Sequence, residues 1–111
     1  MRYAIAVDGL EVSSHFGRCE FYELVDITDG QVTGRRRVAN PGHSPGQIPQ
    51  LMQQWQVDSV VCGGAGPRAQ MLLGEKGIGL ISGISDSLEE VVAAILGGKL
   101  EAGEDACEHT R

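Results

Sequence analysis

The chain has 111 residues, 41% of them hydrophobic and 22% charged, with a formal net charge of -6. That length supports one domain with a buried core and no need of disulfides or a metal clip, and no stretch reaches the roughly 20 apolar residues that span a bilayer. The acidic balance, with a pI near 4.9, opposes nonspecific nucleic-acid binding, which needs Lys and Arg to neutralise phosphates.

The amino terminus carries one Arg and enters an apolar strand, Tyr3 to Val7, with no h-region or small-residue cleavage site, so the cytoplasm is the expected compartment. Asp8-Gly9 ends that strand. Two further apolar runs, Glu20 to Ile27 and Gln31 to Val38, flank Asp29-Gly30 and predict a hairpin. Arg35-Arg36-Arg37 falls in its second strand and reads as a solvated face or an edge protected against pairing. Turn formers fill Asn40 to Gly46, after which Ile48, Leu51, Met52 and Trp55 recur at helical spacing, for a helix from about Pro45 to Gln54.

Val57 to Cys62 is a β-branched run closed by Gly63-Gly64, the pattern of a buried parallel strand. Pro67 suits the first turn of a second helix, with Ala69, Met71, Leu72 and Leu73 on its apolar side and Gly74 and Gly77 at its end. Gly79 to Ser82 is another short strand. Asp86 or Ser87 caps a last helix bearing Leu88, Val91, Val92, Ile95 and Leu96, and Ser87 precedes Glu90 by capping-box spacing. Gly97-Gly98 stops it. Residues 101–111 read as a flexible acidic tail. The order predicts one α/β domain over residues 1–100, a three-layer sandwich with a mixed sheet.

Candidate chemistry gathers where strands end. In Ser13-Ser14-His15-Phe16-Gly17-Arg18 an imidazole follows a strand's carboxyl end, the edge of open α/β sheets where ligands lie. There His15 can ligate a metal or move a proton; the plainer reading is that it packs or caps the turn while Phe16 anchors the loop. Gly63, Gly64 and Gly66 join a strand to a helix, where backbone amides can approach an anion closely and Arg68 can clamp it. The plainer reading is a tight turn with a close-packed helix. Gly64, Gly66 and Ala69 also match a dinucleotide-binding spacing, with Asp86 about twenty residues on, but the second half of a nucleotide fold is missing.

His43 and Cys62 can face the same edge as His15, a set that suits iron-sulfur clusters or transition metals, although no spacing is that of a closed zinc site. The plainer reading of Cys62, and still more of Cys19, is a small buried hydrophobe. Three widely spaced cysteines, Cys19, Cys62 and Cys107, suit free thiols or ligands better than a disulfide framework. Cys107-Glu108-His109 places two potential ligands in the tail. No catalytic triad or paired carboxylates frame a site, so a carrier or binder is expected and not an enzyme.

Val12 to Arg18 with the following Phe21, the Asn40-Pro41-Gly42 loop and Gly63 to Ala69, in that order, resemble the dinitrogenase iron-molybdenum cofactor biosynthesis family of the NifX, NafY and NifB carboxyl-terminal type. The resemblance covers roughly residues 1 to 100. It implies a ribonuclease H-like α/β fold that binds iron-molybdenum cofactor or its iron-sulfur precursors and shuttles them between donor and acceptor proteins. Its favoured cluster ligand falls on His15, and Cys107 and His109 loosely resemble ligands near the carboxyl end of short members. Together with the residues it supports a small cluster carrier, with Ser13, His15, Gly17, Arg18 and the Gly63 to Arg68 turn around the cargo. The alternatives are a metal-free anion or nucleotide binder at the same turn and a pure interaction module. A monomer or weak homodimer is expected, with neither nucleic acid nor membrane as partner.

Overall fold

The computed structural model describes residues 1–42 and 47–98. Its elements are β1 (Arg2–Asp8), β2 (Glu11–Val12), β3 (Phe21–Thr28), β4 (Gln31–Ala39), α1 (Gln47–Gln54), β5 (Ser59–Val61), α2 (Pro67–Glu75), β6 (Gly79–Ile81) and α3 (Leu88–Leu96). The sheet runs in the order β4-β3-β1-β5-β6, with β2 paired to β1 off this path. β3 lies antiparallel to β1 and β4 to β3, whereas β5 and β6 are parallel to β1 and β5. This is the mixed, open sheet of the ribonuclease H-like motif.

Strand β1 is a continuous apolar run because both its faces are covered. Ala4 and Ala6 join a core with Ile48 and Met52 of α1 and Leu73 of α2. Ile5 and Val7 point the other way, onto Leu88, Val91 and Val92 of α3. Helices thus cover both faces, giving three layers. Asp29 (φ 53) and Gly30 (φ 75) form the two-residue turn between β3 and β4, and positive φ at both positions is what such a turn demands. At the open edge, Arg35, Arg36 and Arg37 of β4 are exposed. Arg35 and Arg37 reach the carboxylate of Glu23, whose side chain is only 8% exposed, at 2.9 and 3.4 Å, and Arg35 also binds Glu89 at the start of α3 at 2.9 Å. Among the described residues no helix is long and apolar enough to cross a membrane.

Several boundaries differ from the sequence expectation. The first helix begins at Gln47 within the described residues, and Pro45 lies outside them. Helix α2 runs through Gly74, which is exposed and in contact with nothing a Cβ would meet, and stops at Gly77, whose φ of +70 cannot continue a helix. Strand β5 spans three residues, Ser59–Val61, shorter than the apolar run, although the Cys62 amide still donates to Ile81 O at 3.0 Å. Strand β2 has no counterpart in the sequence reading. Ser87 does cap α3, accepting from the Glu90 amide while the Glu90 carboxylate accepts from its own.

Candidate functional site

The short strand β2 decides where the histidine loop lies. Past the end of β5, the hydrogen-bonding side of β1 is taken by β2, with Val7 opposite Val12 and Asp8 opposite Glu11. The chain then continues across the carboxyl ends of the central strands. Ser13 N–H donates to Ala6 O at 2.7 Å, Gly63 N–H donates to Ser13 O at 2.7 Å, and Phe16 N–H donates to Gly64 O at 2.9 Å. A Cβ on Gly63 would sit 2.7 Å from Ser14 Cα and 3.0 Å from Ser13 O. Glycine is required there so that the loop can dock, and the Gly63 amide is spent on that docking.

Ser13 is 1% exposed. Its Oγ accepts from His15 N–H and donates to His15 O, both at 3.1 Å, so this hydroxyl shapes the turn. Phe16 is buried and anchors the loop, as the plainer reading expected, but His15 is exposed, beside exposed Ser14 and Arg18. The next carbonyls are held from below. Phe16 O accepts from the Tyr22 hydroxyl at 2.6 Å and lies 3.7 Å from Cys19 Sγ; Asn40 Nδ2 donates to Gly17 O at 3.2 Å and to Cys19 O at 2.8 Å. Burial pushes the Cys19 thiol and the Tyr22 phenol up, keeping both protonated as donors.

Of the other expected residues, Gly64 and Ala65 are buried, and Gly66, Pro67 and Arg68 are exposed at the start of α2. That helix has no side-chain cap and no acidic residue in its first turn, so its leading amides stay available to an anion. Cys62 is fully buried in the core beneath α1 and α2, with its neighbours Tyr22 and Leu73, and does not share the exposure of His15. His43, Cys107 and His109 lie outside the described residues. Among the described residues no three His, Cys, Asp or Glu side chains converge to hold a metal ion. Tyr22 and Asn40 went unnoticed in the sequence as supports of the site; an Asn ahead of Pro-Gly was the available signal for the second.

Two grooves flank the loop, each of about 510 Å³. One is lined by Asp8, Glu11, Ser14 and Ser85 among others, with two carboxylates and no basic group. The other, lined by Arg18, Cys19, Glu20, Asn40 and Gly42, balances one cation against one carboxylate.

Fold and site together define a small open-sheet α/β domain with a histidine-bearing loop pinned over the carboxyl ends of its central strands. The family model described as dinitrogenase iron-molybdenum cofactor matches residues 1–98, and the chain belongs to that family. It is similar to the uncharacterised protein MJ0580 of Methanocaldococcus jannaschii, 28% identical over 106 residues, covering 91% of this chain and 90% of that one. The crystal structure of PH0822 superposes with a TM-score of 0.87 at 31% identity, covering 95% of this chain and 98% of the other. The apo form of the orange protein from Desulfovibrio gigas shares the fold, with a TM-score of 0.77 at 21% identity over 98% and 96% of the two chains.

Proposed function

We propose that this protein is a small cytoplasmic carrier that takes up a preassembled iron-sulfur or iron-molybdenum type cluster and hands it on, without turnover of its own. The observation that carries this reading is the exposed His15 imidazole on a loop fixed by backbone bonds to β1 and to the Gly63-Gly64 turn. A bare ion takes about three or four protein donors, and among the described residues no three His, Cys, Asp or Glu side chains converge. A preassembled cluster brings its own bridging sulfides to the irons, so His15 can serve as one ligand of the several that such a cluster takes, which suits a site that must also let go. Family membership supports the choice of cargo. Of the two flanks an anionic cluster would meet a cation only on that of Arg18, and the uncapped amino terminus of α2 with Arg68 is a second element that suits an anion. Donor and acceptor proteins are the partners this role requires.

The test is anaerobic reconstitution with iron and sulfide, read by visible absorption and metal content. His15→Ala should lose most of the bound iron while stability changes by about 1 kcal/mol or less, the range for an exposed loop position. A large stability loss with unchanged iron would return His15 to a packing role. The open amino terminus of α2 favours one second reading, a metal-free anion binder, and phosphate that binds protein unable to take up iron would select it.

A further inference from the structure

The Asn40 side chain uses one end of its amide on backbone distant in sequence and the other on its own turn. Nδ2 donates to Gly17 O at 3.2 Å and Cys19 O at 2.8 Å, while Oδ1 accepts from Gly42 N–H at 2.9 Å. Its own N–H donates to Glu20 O at 3.0 Å. One residue therefore ties the end of the His15 loop to the turn after β4, across the groove that Arg18, Cys19 and Gly42 line with it. We propose that Asn40 is a positioning residue for His15: it sets the width of this groove and holds the imidazole-bearing loop in a single conformation. The inference rests on the carrier reading for its functional meaning, and on the hydrogen bonds alone for its structural one.

Only an amide of this length supplies two donors to one side and an acceptor to the other. Asn40→Asp keeps the shape and the acceptor toward Gly42, but turns a carboxylate oxygen toward the carbonyls of Gly17 and Cys19, which then have no donor. Asn40→Ala removes all three bonds. Because the side chain acts on the loop and not on the cargo, its loss should matter only while His15 is there to be positioned.

The experiment has two arms, both on the full chain. In protein without iron, amide exchange and the His15 ring resonances are recorded by NMR for wild type, Asn40→Asp and Asn40→Ala. Faster exchange at Phe16 and a broadened or doubled His15 ring signal are expected in both variants; an unchanged ring signal with wild-type exchange overturns the proposal. In reconstituted protein, iron loss to a ferrous chelator is timed for wild type, Asn40→Asp, His15→Ala and the double variant. About tenfold faster loss is expected for Asn40→Asp, with an altered visible circular dichroism spectrum and the double variant no faster than His15→Ala alone. Additive effects in the double variant overturn positioning through His15. Wild-type protein that takes up no iron overturns the carrier reading, and the NMR arm then still decides the role of Asn40. Should Asn40→Ala fail to fold, Asn40→Asp carries both arms.

Discussion

Gly63→Ala is the sharpest probe of how the site is assembled. The added Cβ would lie 2.7 Å from Ser14 Cα, 3.0 Å from Ser13 O and 3.3 Å from Ile84 O. All three are backbone atoms, so no flexible side chain can swing away. Relief requires moving either the histidine loop or the chain after β6, and the first breaks the 2.7 Å bond from Gly63 N–H to Ser13 O. Forcing an extra carbon into a filled site costs about 1–3 kcal/mol, and a lost backbone hydrogen bond adds about 1 kcal/mol. We expect a net loss of about 2–3 kcal/mol, since the shift relieves part of the clash. With an unfolding entropy of about 2.1 cal/mol/K per residue over 111 residues, that lowers Tm by roughly 9–13 °C. Differential scanning calorimetry measures the shift, and iron content after reconstitution measures whether His15 has moved. Gly74→Ala is the matched control: a Cβ there meets nothing within 4 Å, in a helix, so it should gain about 0.5–1 kcal/mol. A Gly63→Ala protein that melts within about 2 °C of wild type would refute the steric account.

Three other outcomes follow from the structure. Ser87→Ala removes the capping box of α3 and should cost about 1 kcal/mol in urea titration, whereas Glu90→Gln, which can still accept from the Ser87 amide, should cost less. Arg35→Ala leaves the buried Glu23 carboxylate with only Arg37 at 3.4 Å and should cost about 1–3 kcal/mol; Arg36→Ala on the same strand should stay within about 0.5 kcal/mol, and equal effects would argue against the ion-pair account. The Asp26 carboxyl is held below its usual range, first by the Arg2 side-chain hydrogen bond and then by its charge. Its stabilisation is therefore complete above about pH 4 and is lost as acid takes the pH down through the lowered native value. Asp26→Asn should flatten the acid limb of the urea midpoint measured from about pH 6 to about pH 2, and parallel curves for the two proteins would show that this pair adds nothing.

Much of the architecture was readable where one local signal sufficed. Asp29-Gly30 and Ser87 with Glu90 carry their own geometry, and the apolar run from Ala4 to Val7 marked a strand covered on both faces. The elements that were not readable depend on what lies nearby in space. Glu11–Val12 is too short to show a period, and it becomes a strand only because β5 ends and leaves the side of β1 open. The Gly63 position was read as room for an anion. A missing Cβ does mark a close approach, but the partner is the chain's own Ser13-Ser14 backbone, which no spacing in the sequence reveals. Likewise the core side that Cys62 takes just past β5 depends on parity along a run from Val60 to Cys62 in which every position is apolar and buried. Asn40 looked like any turn residue until its amide was seen to span two loops.

The β1–β2 hairpin has one more consequence. Val12 N–H donates to Asp86 O, Leu88 N–H donates to Leu10 O, and Glu11 bridges to Ser87, so the hairpin is stitched to the first turn of α3. The His15 loop begins where that stitching ends, and Asn40 closes its other side. The loop is thus anchored at its start to a hairpin that is itself tied to a helix, and swinging it away would also break its bonds to Ala6, Gly63 and Gly64. Under the carrier reading, release of cargo from His15 would then mean breaking the imidazole–metal bond with the loop backbone still in place. On that reading, the control over release would lie in the chemistry at the metal and not in an opening motion of the protein.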